Sequence, residues 1–328
     1  MKKISFFNHE YTSETKRSFI VSAGRTVTGS ALEIPVWVIF GKTPSFSAFF
    51  TSTVHGDEIA GIRILENVFQ ATNPSTVHGV YVFLPILNPW GLQNQTRYMP
   101  DRRDLNRSFP GSATGSMSAR LAHFYFENVI KKCQFGLDLH TGANHIENAP
   151  QIRGNMEQDT IRQLAEDIPD IIRIHSKASA GTLRKAAANR KIPVLLYEGG
   201  EAFRFEKANI EAGTQVCLRL IELWQKFSSL TTNKQRRKAS IYQSHGWLRA
   251  SHPGIFIPKV SPGQSVQKGQ LLGYLESFTT ENPKMLFAKQ DGMIIGIRQL
   301  PVVYEGDPLL HFAIPFLDSD SRRYAENR

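Results

Sequence analysis

The sequence predicts an α/β protein: a mixed, mainly parallel sheet flanked by helices, followed by a small C-terminal all-β barrel-sandwich domain. Two observations carry this prediction. Near-continuous apolar runs at 46–54, 79–89, 135–142 and 193–200 alternate with runs of helical period. Strands covered on both faces read as such runs, and their alternation with helices favours parallel pairing. After about residue 240 the glycines multiply and helical periodicity stops. Turn signals that dense belong to short strands.

The elements follow in order. Residues 1–34 are polar, with Ser, Thr and Gly mixed in, and predict a lead-in with one or two strands. Residues 34–41 form a β-branched, aromatic run closed by Gly41, hence a strand. After the 46–54 strand, Ile59, Ile62, Leu65, Val68 and Phe69 recur at helical spacing. Asp57 and Glu58 are expected in that helix's first turn, where acids suit the dipole. The 79–89 strand breaks at Asn88-Pro89, and a Gly-, Pro- and Arg-rich loop runs from 90 to 116. Loops of that length inside a domain are usually functional. Helices at 117–131, 161–168, 183–190 and 210–227 alternate with strands at 135–142, 171–175 and 193–200. The α/β domain therefore covers 1–230. A basic linker follows at 231–239, and the β domain with its charged tail covers 240–328. Within that domain Val266-Gln267-Lys268-Gly269-Gln270-Leu271-Leu272 is echoed weakly by Val303-Tyr304-Glu305-Gly306-Asp307-Pro308-Leu309.

Bulk properties exclude several classes. The 328 residues suffice for a well-buried core, and 41% hydrophobic content argues against disorder. The net charge of +10 is scattered; its densest run, Lys234-Gln235-Arg236-Arg237-Lys238, reads as a solvated linker. No nucleic-acid or membrane partner is expected, while a positive field favours small anions. The two cysteines, Cys133 and Cys217, read as buried thiols. The N-terminus lacks a long apolar stretch, so no signal peptide is expected, and a cytoplasmic protein is predicted. Both a monomer and a homo-oligomer stay open.

Three strands end in a chemically useful residue: His55, His140 and Glu198. In open α/β sheets ligands bind beyond the carboxyl ends of the strands. His55 and Glu58, three residues apart at a strand-to-helix junction, would supply a nitrogen and an oxygen to one zinc ion. Taken alone, an H-x-x-E is more often a helix-start acid beside a core histidine. His140 would be the third ligand, and Asp138, two residues earlier on the same side of the strand, could accept from a ligand imidazole. Glu198, before Gly199-Gly200, reads either as a carboxylate paired with a nearby Arg or as a general base, and the second reading is taken here. The loop carries Arg97, Arg102, Arg103 and Arg107, any of which could clamp a carboxylate or polarise a carbonyl.

The ordered set His55-Gly56-Asp57-Glu58, Asp104-Leu105-Asn106-Arg107-Ser108-Phe109-Pro110-Gly111, Asp138-Leu139-His140-Thr141-Gly142 and Tyr197-Glu198-Gly199 resembles the succinylglutamate desuccinylase/aspartoacylase family, related to zinc carboxypeptidases. The resemblance covers about 46–316 and implies one zinc per chain, bound by His55, Glu58 and His140. It implies Glu198 as base and then acid. Asn106 and Arg107 would hold a substrate carboxylate, and Arg97 would polarise the carbonyl, with Arg102 and Arg103 as competitors. The implied activity is hydrolysis of an N-acyl amino acid or related small amine. A zinc carboxypeptidase for short peptides and a non-catalytic binding protein are the alternatives. The Asn-Arg-Ser-Phe-Pro-Gly form leaves the acyl group open, and Tyr98, Tyr197 and Tyr304 are all candidates to touch substrate. The β domain looks similar to biotinyl/lipoyl-type barrels but has no Met-Lys-Met turn, so no tethered cofactor is expected there.

Overall fold

The protein is described from a computed structural model that covers residues 5–7, 9–10, 12–227, 239–278 and 282–317. The basic run at 234–238 and the tail at 318–328 lie outside the described residues. The short strands β1 (Ser5–Phe6) and β2 (His9–Glu10) pair with each other. β3 (Thr15–Arg25) and β4 (Ala31–Phe40) form an antiparallel ribbon, so the polar lead-in holds a long edge strand. Next come β5 (Ser47–Ser52), α1 (Ala60–Ala71) and β6 (Val80–Leu84). α1 forms because Ile64, Leu65 and Val68 share one buried face. It stops at Thr72, whose hydroxyl donates to Val68 O at 2.8 Å.

The long loop contains α2 (Pro89–Gln93) and a 3₁₀ turn at Leu105–Arg107. α3 (Met117–Asn128) leads into β7 (Phe135–His140). β8 (Ile146–Gly154), α4 (Asp159–Glu166), β9 (Ile172–His175), α5 (Leu183–Ala188), β10 (Val194–Gly200) and α6 (Lys207–Phe227) complete this part. Strands β10, β7, β5 and β6 run side by side and parallel at the centre. The expectation of a mainly parallel sheet holds for these four and for a second parallel run, β8, β9 and the later strand Tyr242–Arg249. β8 turns back antiparallel against β10 after a short connection, and β4 and β3 close the other side antiparallel. The sheet is mixed. Helices cover both faces: Phe50, Phe83, Leu137 and Tyr197 pack in one cluster with Trp224 of α6, while Phe49 and Val82 pack with Leu121 of α3 and Leu183 of α5.

The C-terminal strands are β11 (Tyr242–Arg249), β12 (Gly254–Pro258), β13 (Ser265–Val266), β14 (Leu271–Glu276), β15 (Lys284–Phe287), β16 (Gly292–Arg298), β17 (Val302–Val303) and β18 (Pro308–Pro315). β15, β14, β12 and β17 form one sheet. The others continue the main sheet, which reaches twelve strands. β11 joins β9 parallel, and β16 joins the first residues of β8 antiparallel. The ring β8-β9-β11-β18-β16 is thereby closed. Strands from before residue 228 and after residue 238 complete one barrel, with Ile174, Ile295 and Ala313 packed together. Closure removes the exposed edge that β8 and β9 would otherwise present.

Cys133 and Cys217 are free and buried, as expected. Among the described residues no helix is long and apolar enough to cross a membrane. Phe50 is fully buried and lies 5.0 Å from Phe83 and 5.1 Å from Trp224, centroid to centroid. Phe50→Ala is expected to cost about 3–5 kcal/mol, read as a lower denaturant midpoint at unchanged slope.

Candidate metal centre

The centre is built where β5 and β7 end. Thr53, the first residue beyond β5, has φ +54, a left-handed conformation that strains a β-branched residue. Neighbouring backbone holds it there: Leu87 N donates to Ser52 O at 3.1 Å and Asn88 N to Thr53 O at 2.9 Å. The chain then turns tightly, with Glu58 N donating to His55 O at 3.2 Å. α1 begins only at Ala60, so Asp57 and Glu58 lie ahead of it and not in its first turn. The turn carries the Glu58 carboxylate back beside His55. Gly56 makes it feasible, since a Cβ there would sit 1.9 Å from the Gly91 backbone.

His55, Glu58 and His140 are buried and offer ligand atoms that all lie within 4.8 Å of one another. His55 Nδ1 is 2.6 Å from Glu58 Oε1, and His140 Nδ1 is 2.7 Å from Glu58 Oε2. Each far nitrogen meets another carboxylate: His55 Nε2 lies 3.1 Å from Asp104 Oδ1, and His140 Nε2 lies 3.0 Å from Asp138 Oδ2. Asp138 is itself held by the Thr51 hydroxyl at 2.7 Å. An inward nitrogen with an outward carboxylate partner is the arrangement that orients a metal-binding imidazole. The donor set therefore fits a zinc ion.

The charges are strongly coupled. Burial alone would raise the Glu58 carboxyl, but His55 and His140 outweigh it and hold it well below the usual range. Burial opposes protonation of His140, yet Asp138 and Glu58 push it up to about 10. His55 is likewise raised, by Glu58 and Asp104 against burial. The same carboxylates that favour protonated imidazoles make metal and protons compete for these nitrogens.

The arginine loop reaches the centre through Arg97 and Asp104. Arg97 Nη1 lies 3.2 Å from Glu58 Oε1, and its Nη2 lies 3.1 Å from Asp104 Oδ2. Arg102 and Arg103 are exposed. Asp104 was quoted in the motif without a role; its side chain links Arg97, His55 and the Asn106 backbone N–H. Asn106 is buried, and its side-chain oxygen accepts from Leu183 N at 2.9 Å, tying the loop to α5. Arg107 is exposed and donates to Asn106 O at 2.8 Å.

Glu198 stands in register with His140 on the neighbouring strand. Its Oε1 accepts from Asn148 Nδ2 at 2.7 Å, and its Oε2 lies 2.8 Å from Arg153 Nε. Arg184 of α5 is also close: burial brings its guanidinium down to about 10, Arg153 adds to the fall, and Asp138 and Glu198 oppose it. Asn148, Arg153 and Arg184 carried no motif and escaped the sequence. Tyr197 is withdrawn as a substrate contact, because its hydroxyl is buried against Asn209, 2.8 Å from the backbone oxygen.

The sequence model of the succinylglutamate desuccinylase/aspartoacylase catalytic domain matches residues 46–224, more than half of the chain and every group just described. The chain belongs to this family. An N-alpha-acetyl-L-2,4-diaminobutyric acid deacetylase from Halomonas elongata is 30% identical over 135 residues, 40% of this chain and 39% of that relative. A probable aspartoacylase from Prochlorococcus marinus is 28% identical over 114 residues, 32% of this chain and 37% of that relative. The alignments thus span under two-fifths of these curated relatives. The crystal structure of a succinylglutamate desuccinylase/aspartoacylase from Rhodobacter sphaeroides superposes with a TM-score of 0.79 at 21% identity, covering 97% of this chain and 100% of that one. The product-bound ectoine utilization protein EutE (DoeB) from Ruegeria pomeroyi gives 0.77 at 18%, covering 96% and 99%. These likenesses extend the shared fold through the β domain.

Two outcomes are expected at the centre. Zinc added to metal-free protein at pH 7 in weak buffer should release protons, seen with an indicator dye, and its affinity should fall as pH is lowered. Gly56→Ala should weaken zinc binding by about tenfold or more in a competition titration, the size of loss that misoriented ligands give.

Proposed function

We propose that this protein is a zinc-dependent hydrolase that cleaves the amide bond of an N-acyl amino acid or a related small amine. The observation that carries the reading is the convergence of two imidazoles and one carboxylate beyond the carboxyl ends of β5 and β7, with Glu198 in register with His140. A bound zinc would polarise the scissile carbonyl and make the attacking water more acidic. His55, Glu58 and His140 would hold it.

The remaining chemistry belongs to side chains. Glu198 takes the proton of the attacking water and returns it to the departing amine, so one carboxylate acts as base and then acid. Arg97 donates toward the carbonyl oxygen as negative charge builds there. That role asks it to share or release Glu58 Oε1, its present partner at 3.2 Å. Arg107 lies at the solvent edge of the same loop and offers a two-pronged clamp for the substrate carboxylate. Asn106 supports that clamp by fastening the turn to α5. The relative from Halomonas elongata makes Nα-acetyl-L-2,4-diaminobutyrate the first substrate to try, beside acetyl, succinyl and formyl amino acids.

Glu198→Gln should lower kcat by about 10²- to 10⁴-fold while zinc content stays at the wild-type value, measured by turnover and elemental analysis of one preparation. Arg107→Ala should act mainly on KM, raising it about tenfold or more. Faster cleavage of dipeptides than of acyl amino acids would turn the assignment to a carboxypeptidase.

A further inference from the structure

The partners of Glu198 lie on β8, and β8 is shared between the two parts of the molecule. Its last residues, 151–154, pair with β9, while 146–148 pair with β16 of the C-terminal domain. Asn148 sits on that junction, in register with Gly296 on one side and Gly200 on the other. It is 5% exposed, and its Nδ2 donates to Glu198 Oε1 at 2.7 Å. Its Oδ1 is buried and makes no hydrogen bond. An amide left half-satisfied in the interior is costly, so this side chain is present for its donor. Gly296 leaves the room it needs: a Cβ there would meet Asn148 Oδ1 at 2.4 Å. Arg153, from the far end of the same strand, approaches the other Glu198 oxygen at 2.8 Å.

We propose that Asn148 is a positioning residue for Glu198, kept in place by β16 of the C-terminal domain, so that this domain is a working part of the hydrolytic site. The proposal rests on Glu198 being the base. A carboxylate that takes and returns one proton has to be aimed at water and at the amine in turn, and small displacements of such a group are expensive. Asn148 fixes one oxygen by donation and leaves Arg153 to balance the charge on the other. The C-terminal domain enters through Gly296, which contributes absence of bulk at a point where any side chain would displace the amide.

The test is a double-mutant cycle on the whole protein with zinc bound, using the acyl amino acid it turns over fastest. Asn148→Ala should lower kcat about tenfold to hundredfold, with KM, zinc content and the circular dichroism spectrum unchanged. Gly296→Ala should do the same. In the Asn148→Ala background Gly296→Ala should cost almost nothing further, because the atom it would strike is gone. Full kcat in Asn148→Ala, additive losses in the double variant, or loss of zinc or fold in Asn148→Ala would each overturn the proposal. Wild-type turnover that survives Glu198→Gln would instead remove the reading beneath it, and is a separate result.

Discussion

The site depends on one buried carboxylate. Glu58 holds an imidazole at each oxygen and an arginine against one of them, and all three groups come from different stretches of chain. Its placement is set by a strained Thr53, a glycine that backs onto another glycine, and a helix that starts two residues late. Burying a carboxylate is unfavourable unless charge and hydrogen bonds compensate it. Here the compensation is itself the ligand set, so the folding requirement and the chemical requirement fall on the same residues. Asp104 and Asp138 extend the pattern outward, each holding one imidazole from behind.

Much of this was legible in the sequence because it is local. Strand ends can be recognised by an apolar run that stops, and His55, His140 and Glu198 occupy such stops. Asp138 could be assigned because two residues along a strand return to the same face. What escaped is what depends on pairing. β8 reads as Ile-Glu-Asn-Ala-Pro-Gln-Ile-Arg-Gly, too polar and too proline-broken to announce a strand, and so Asn148 and Arg153 were missed with it. The mainly parallel sheet was over-read for the same reason: apolar runs predict covered strands but not the direction of the neighbours that flank them. Asn106 was read as a substrate contact from its motif, whereas its side-chain oxygen is engaged by α5.

The domain boundary has a similar lesson. The change in composition near residue 240 marks where the chain changes style, yet the sheet runs across it. β16 and β11 grip β8 and β9 and close a barrel around residues from both sides. The C-terminal domain is therefore positioned to a register, strand by strand, and its shape reaches Glu198 through Asn148.

We propose that His55, Glu58 and His140 hold one zinc ion. Elemental analysis of the protein purified without added metal or chelator tests it most directly. Close to one zinc per chain is expected in the wild type, and a substoichiometric trace in His55→Ala. A wild-type protein without zinc that cannot be loaded by dialysis, or a His55→Ala variant with undiminished zinc, would contradict it.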